Sequence, residues 1–173
     1  MPEIAGYEVA ATAQPLQFVG GDYYNVVRID DDHTAICIAD VSGKGLPAAL
    51  LMSSLQAALK PLISENLPPQ ELCRRLNRIL CDLTPLGKFI SFFYAVLDSA
   101  ENRVTYCNAG HNPPLLIRAG GESVQLNAGG AVLGQFCDWS YVQSEIQMFA
   151  GDRLLIFTDG LVEASNLDDT QFG

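Results

Sequence analysis

The apolar residues change period twice along this chain, and that switch narrows the folds open to it. Residues 22–29 alternate loosely and are rich in β-formers, Asp30-Asp31-Asp32-His33 is a polar turn, and residues 34–39 form a short apolar run. Together they predict a β-hairpin. From Leu46 the spacing becomes helical, with Leu46, Ala49, Leu50, Leu55, Ala58, Leu59 and Leu62 on one repeat. Pro47 suits a first helical turn, where its missing N–H costs nothing. Pro68-Pro69 opens a second helix with Leu72, Leu76, Ile79, Leu80 and Leu83 as its expected apolar face and Arg74, Arg75 and Arg78 as its wet face. After Pro85 the pattern returns to strands, at 89–97, 103–108, 115–118, 124–126, 141–149 and 153–158, separated by Gly, Asn and Asp. Strands grouped with strands around two consecutive helices exclude a βαβ alternation. They predict an α+β fold, an antiparallel β-sandwich flanked by α-helices. Residues 1–173 read as one domain with room for a sizeable core.

Charge and cysteine content exclude several functions. Ten basic against 20 acidic residues leave a net charge of −10. That balance argues against a nucleic-acid partner and against an anionic membrane surface, since both require clustered Lys and Arg. The one dense basic group, Arg74, Arg75 and Arg78, reads as a solvated helix face, with a docking surface for an acidic partner as the alternative. An acidic domain can still act on phosphate when a metal ion supplies the positive charge. No signal peptide is expected at Met1-Pro2-Glu3, and no apolar run approaches the ~20 residues that span a bilayer. The five cysteines (Cys37, Cys73, Cys81, Cys107, Cys137) are odd in number and none are paired at CxxC spacing. Neither a disulfide framework nor a zinc site is expected, and a reducing, cytoplasmic compartment is inferred.

Three aspartates draw the chemical argument. Asp22 follows Gly20-Gly21, Asp40 opens Asp40-Val41-Ser42-Gly43, and Asp159 stands in Thr158-Asp159-Gly160. One Asp-Gly is ordinarily a turn. Three carboxylates at strand ends can converge on one edge of a sandwich, where hard cations such as Mg²⁺ and Mn²⁺ find the oxygen ligands they prefer. The segment 43–48 fits G-x-G-x-x-A, but Asp40 just before it would repel a pyrophosphate, and no second strand ends in an acid about 20 residues later. The spacing around Lys44 does not make a P-loop either. His111, alone in a loop, reads as structural, His33 as solvated, and Trp139 with the aromatics of 89–94 as core.

Four motifs occur in order: Gly20-Gly21-Asp22-Tyr23-Tyr24, residues 38–45 (IADVSGKG), residues 108–113 (NAGHNP) and residues 152–161 (DRLLIFTDGL). From about Ile4 onward they closely resemble the SpoIIE-type branch of the metal-dependent PPM (phosphatase-2C-like) serine/threonine phosphatases. The resemblance implies a β-sandwich flanked by helices. It also implies two Mn²⁺ or Mg²⁺ ions in the complete domain and hydrolysis of phosphoserine or phosphothreonine on a phosphoprotein, in bacteria often an anti-sigma-factor antagonist. A metal-activated water, with no catalytic side chain, would carry the reaction. By position, Asp22 matches the first metal-binding aspartate, Asp40 the bridging one with the Val41 carbonyl beside it, and Asp159 the aspartate of the later Asp-Gly motif. Gly21, Gly43, His111 and Gly160 fall at the periphery.

Two departures accompany the match. Asn25 stands where many relatives carry a second aspartate. Relatives also continue into a final helix and a strand with a further metal-binding aspartate, a role that Asp168-Asp169-Thr170 is too close to Asp159 to fill. The chain is therefore expected to lack that helix and strand, to hold at most one ion well, and to present an unpaired edge that invites a homodimer. A non-catalytic PPM-fold domain that binds a partner is the alternative reading. Ala48, Leu51 and Met52 add a second apolar face to the first helix, which is expected to be packed on both sides and to couple dimerisation to Asp40.

Overall fold

The computed structural model describes residues 1–13 and 20–162. In chain order the elements are β1 (Tyr23–Arg28), β2 (His33–Val41), α1 (Leu46–Ser64), α2 (Pro69–Cys81), β3 (Ile90–Asp98), β4 (Arg103–Ala109), β5 (Leu115–Ile117), β6 (Ser123–Gln125), β7 (Gly129–Gly130), β8 (Ser144–Gln147), β9 (Arg153–Leu155) and α3 (Asp159–Val162). One six-stranded sheet runs β1-β2-β3-β4-β7, with β8 also on β4, and a three-stranded sheet runs β6-β5-β9. Every named pairing is antiparallel except β4 with β7. The segment 43–48 therefore follows a strand whose sheet neighbours β1 and β3 both run against it, which ends the dinucleotide reading.

β3 explains the layering. Successive side chains of a strand point to opposite faces. Phe92 and Tyr94 join Leu55, Leu59, Leu72, Leu76 and Leu80 in a core between the large sheet and the helices. Phe93, Ala95 and Leu97 join Leu116, Leu126 and Met148 in a second core between the sheets. A strand buried on both faces has no polar side to alternate with, so it reads as the continuous run seen at 90–97.

Several expectations change. α1 buries Ala48, Leu51, Leu55, Leu59, Leu62 and Ile63 on one side, while Leu46 and Leu50 are 65% and 62% exposed. It is packed on one face, not two, because only that face meets α2 and the sheet. Among the described residues, α1 is the one helix long and apolar enough (19 residues, mean hydropathy 1.3) to cross a bilayer, but a buried stripe of this kind is that of a core helix. On α2 the buried residues are Pro69, Leu72, Cys73, Leu76, Asn77 and Leu80. The stripe centres one residue away from the expected face, so Ile79 and Leu83 are exposed. Trp139 and Phe89 also face solvent, Trp139 tilted against Phe136. His33 is held, not simply solvated, with Nδ1 2.8 Å from Asp30 Oδ1.

The cysteine expectation is overturned at one pair. Cys81, the last residue of α2, is disulfide-bonded to Cys137, while Cys37, Cys73 and Cys107 are buried free thiols as expected. Spacing carried no sign of this bond, because the partners lie 56 residues apart and meet only after α2 has docked. The inference of a reducing compartment loses that premise.

The arginines of α2 are not all free. Arg74 and Arg75 both donate to Glu71, at 2.7 to 2.8 Å, and Arg75 also pairs with Glu65. These hydrogen bonds from Arg74 and Arg75 hold the Glu71 carboxyl down to about 2, against an ordinary 4.5. A folded-state value below the unfolded one stabilises above pH 4.5 and loses that contribution as pH falls toward 2. Glu71→Gln should therefore lower the melting temperature at pH 7 by a few degrees, as expected of a surface network worth under about 1 kcal/mol. The gap between variant and parent should narrow as the pH is taken from 5 to 3 and close only toward pH 2. A gap that stays constant over that range would contradict the assignment.

Candidate metal centre

The β1–β2 register pairs Tyr23 with Ala39. Continued by one step it sets Asp22 across from Asp40, and by two steps Gly21 across from Val41. The backbones stay close there. A Cβ on Gly21 would lie 2.9 Å from the Val41 carbonyl oxygen and 3.2 Å from its Cβ, so only glycine allows this approach. β3 lines the other side of β2, with Ser91 opposite Asp40 and Ile90 opposite Val41. Asp40 is thus fixed in the middle of a three-strand ribbon, and Asp22 just off its edge strand.

Asp159 reaches the same end of the sheet from the far side of the chain. It opens α3, and the preceding Thr158 donates its hydroxyl to Asp22 Oδ2 at 3.0 Å. Gly160 follows within α3. His111 connects the two sides. The residue is 5% exposed, with its ring Nε2 3.1 Å from the Phe157 carbonyl oxygen and Nδ1 2.8 Å from Ser91 Oγ. A carbonyl can only accept, so Nε2 carries the hydrogen, while Nδ1 pairs with the Ser91 hydroxyl, which also reaches the Asp40 carbonyl at 3.5 Å. Burial pushes its pKa down, and the pull upward from the Phe157 carbonyl, Asp159 and Asp22 does not offset that.

The turn that presents His111 is built by Asn108. Its side chain accepts from the His111 N–H at 2.7 Å and donates to the carbonyls of His111 and Leu126. Gly110 turns the chain at φ +69°. Sequence reasoning missed Asn108, Ser91 and Thr158. Asn108 and Thr158 lie inside quoted motifs, whereas Ser91 carried no signal beyond facing Asp40 in a register that the sequence does not display. Gly43, at φ +103°, sits in the loop between β2 and α1 against the Lys88 ammonium. That loop is clamped by Ser42, whose N–H donates to Phe89 O at 3.0 Å and whose hydroxyl accepts from Phe89 N–H at 2.9 Å.

The donor chemistry fits a hard divalent cation: carboxylates and one backbone carbonyl, all oxygen, at the ends of strands. Asp22, Asp40, Val41 and Asp159 gather at one end of the large sheet. Among the described residues, however, no three His, Cys, Asp or Glu side chains close into a formed coordination set. Asp168, Asp169 and Thr170 lie outside the described residues.

Comparison with known proteins bears on this arrangement. The chain is 34% identical over 164 residues to the phosphoserine phosphatase RsbU of Bacillus subtilis, covering 94% of this chain and 49% of that protein. It is 31% identical over 149 residues to the phosphoserine phosphatase RsbP of the same organism, covering 84% and 37%. The chain therefore spans about half or less of the length of these relatives. Among solved structures, the RsbU and RsbW domains of a Mycobacterium tuberculosis protein superpose with a TM-score of 0.77 at 29% identity, covering 88% of this chain and 42% of that one. The PP2C phosphatase domain of SpoIIE from Bacillus subtilis shares the fold, with a TM-score of 0.74 at 20% identity and coverage of 88% and 46%. Residues 30–173 match the family described as stage II sporulation protein E (SpoIIE), and the chain belongs to that family.

Proposed function

We propose that residues 1–173 form a metal-dependent protein phosphatase domain. It hydrolyses phosphoserine or phosphothreonine on a bacterial signalling phosphoprotein, an anti-sigma-factor antagonist, in the cytoplasm. The observation that carries this reading is the β1–β2 register, which continued by one step sets Asp22 opposite Asp40, together with the hydrogen bond from Thr158, next to Asp159, to Asp22. Family membership supports it, as do two relatives that are themselves phosphoserine phosphatases.

Asp22, Asp40, Asp159 and the Val41 carbonyl would hold Mn²⁺ or Mg²⁺. RsbX, a structural neighbour with a TM-score of 0.69, has been solved with magnesium. When bound, such ions make a coordinated water acidic enough to act as a nucleophile near neutral pH and offset phosphate charge. The chain's own residues set the geometry. Gly21 lets the Val41 carbonyl come close to the Asp22 strand, Thr158 orients Asp22, and His111 braces the β3 side against the Phe157 carbonyl next to Thr158. With a net charge of −10 the domain repels phosphate unless cations stand between them.

Turnover of a phosphorylated partner protein should fall to background in excess EDTA and return with Mn²⁺ added above the chelator. Turnover that survives EDTA would overturn the reading. One observation favours the second reading, a partner-binding domain without catalysis: the acidic side chains do not close into a set of three among the described residues. Asn25, which donates to the Tyr23 hydroxyl at 3.0 Å, is no carboxylate either. Calorimetric titration with Mn²⁺ separates the two, since a non-catalytic domain would give no saturable heat.

A further inference from the structure

The disulfide lies in a part of the molecule that the candidate metal centre does not use. Cys81 ends α2, and Cys137 sits in the segment between β7 and β8. Cys137 is exposed and Cys81 partly so, which leaves the bond open to small molecules. The other sulfurs are not open to them. Cys37, Cys73 and Cys107 are buried, and burial pushes the Cys37 thiol up to about 12 and Cys73 well above its ordinary value.

Two features make this pair able to open and close again. First, its partners stay close without the bond. One turn before Cys81, the Asn77 side chain accepts from Gly134 N–H at 2.8 Å and donates to Phe136 O at 2.8 Å. Leu133 is bonded in both directions to Ile90, at 2.8 and 3.0 Å. The chain up to Phe136 is therefore pinned to α2 and β3 by bonds that need no sulfur, and a reduced Cys137 remains beside Cys81. Second, Cys137 lines a hollow of about 110 Å³ with Arg74, Arg78, Asp138, Trp139 and Ser140. The hollow leaves the sulfur open to the approach of a small thiolate, the form that takes part in exchange.

We propose that Cys81–Cys137 is a reversible thiol–disulfide site, exchanging with low-molecular-weight thiols and disulfides, that holds residues 137–140 tightly against α2 when oxidised and loosens them, with Cys137 still near Cys81, when reduced. In reduction the thiolate of a small thiol attacks the exposed Cys137 sulfur. The protein S–S bond breaks, and Cys81 leaves as a thiolate and takes a proton. A second small thiolate then displaces Cys137 from the mixed disulfide. The two electrons end on the protein's two thiols, and the small thiols depart as their own disulfide. Oxidation by a small disulfide is the reverse.

Trp139 is the sole tryptophan in the chain and lines the same hollow, so its emission reports this site alone. The purified protein, equilibrated with oxidised glutathione and then freed of it, should show no rapidly reacting thiol toward an aromatic disulfide reagent under native conditions. After dithiothreitol and its removal it should show two. Over the same cycle Trp139 emission should rise on reduction, because a neighbouring disulfide quenches indole, and fall on reoxidation. Amide exchange over 137–140 should rise roughly tenfold on reduction, while the stretch pinned by Asn77 changes little. Cys137→Ser, a change at an exposed position, should lock emission and exchange in the reduced state, and Cys81→Ser at the end of the helix should do the same. Two reactive thiols that persist in excess oxidised glutathione would show that no such bond forms. Emission and exchange that do not differ between the oxidised, reduced and Ser forms would show that the bond locks nothing. Either result overturns the proposal.

Discussion

Asp40→Asn should reduce turnover of a phosphoprotein at saturating Mn²⁺ by at least about a hundredfold. Losing a residue that merely orients a metal ligand costs 10- to 100-fold in affinity or activity, and the loss of a ligand itself exceeds that. The change is close to isosteric. Asp40 takes part in the β2–β3 ladder through its backbone, opposite Ser91, and the substitution leaves that pairing in place. A native circular-dichroism spectrum together with loss of the Mn²⁺ binding heat would assign the defect to the metal site. Turnover equal to the parent's would remove Asp40 from the mechanism, and with it the proposed function.

The second large effect is on stability. Leu55 is fully buried in the core between α1, α2 and the large sheet. Removing such a side chain costs about 2–5 kcal/mol, and placing an unpaired carboxylate there adds desolvation of similar size. Domains of this kind are stable by only about 5–15 kcal/mol. Leu55→Asp should therefore leave the protein largely unfolded at 25 °C. Leu50→Asp, on the same helix but exposed, should change stability by no more than about 0.5 kcal/mol. Urea unfolding of the two variants tests the one-sided packing of α1. Equal damage from both would mean that α1 is covered on both faces, as its composition alone suggests.

Much of the fold was legible because its signals are local. The period-two pattern and acidic turn located the β1–β2 hairpin, Pro47 and Pro69 marked two helix starts, and the long apolar run at 89–97 marked a strand, whose burial on both sides came only with the structure. The three aspartates stood out through their glycine neighbours. What stayed hidden depends on contacts distant in sequence. β7 is two glycines, and a side chain on Gly129 would collide with the Asn108 backbone, so this strand exists only where β4 lies beside it. The exact stripe of α2 depends on Asn77 reaching the loop at Gly134 and Phe136, which makes a polar residue buried and turns Ile79 outward. The Cys81–Cys137 bond depends on the same docking. Within the site, the Ser91–His111–Phe157 chain requires three separate segments to be in place, and none of the three points to the others in sequence.

The direct pairing of β2 with β3 also governs how the chain reaches this structure. Both helices lie between those strands, so α1 and α2 can form and meet through nearby contacts on a fast timescale, whereas the central strand pair must close a loop around the whole helical hairpin. Folding speed is set by such long-range pairings more than by helix formation. Until β3 is captured, the run carrying Phe92, Phe93 and Tyr94 is a sticky, strand-forming segment with its partners absent, open to the same segment of a neighbouring molecule. Refolding of this protein is thus a race between closing one loop and meeting another chain, and dilution favours the first.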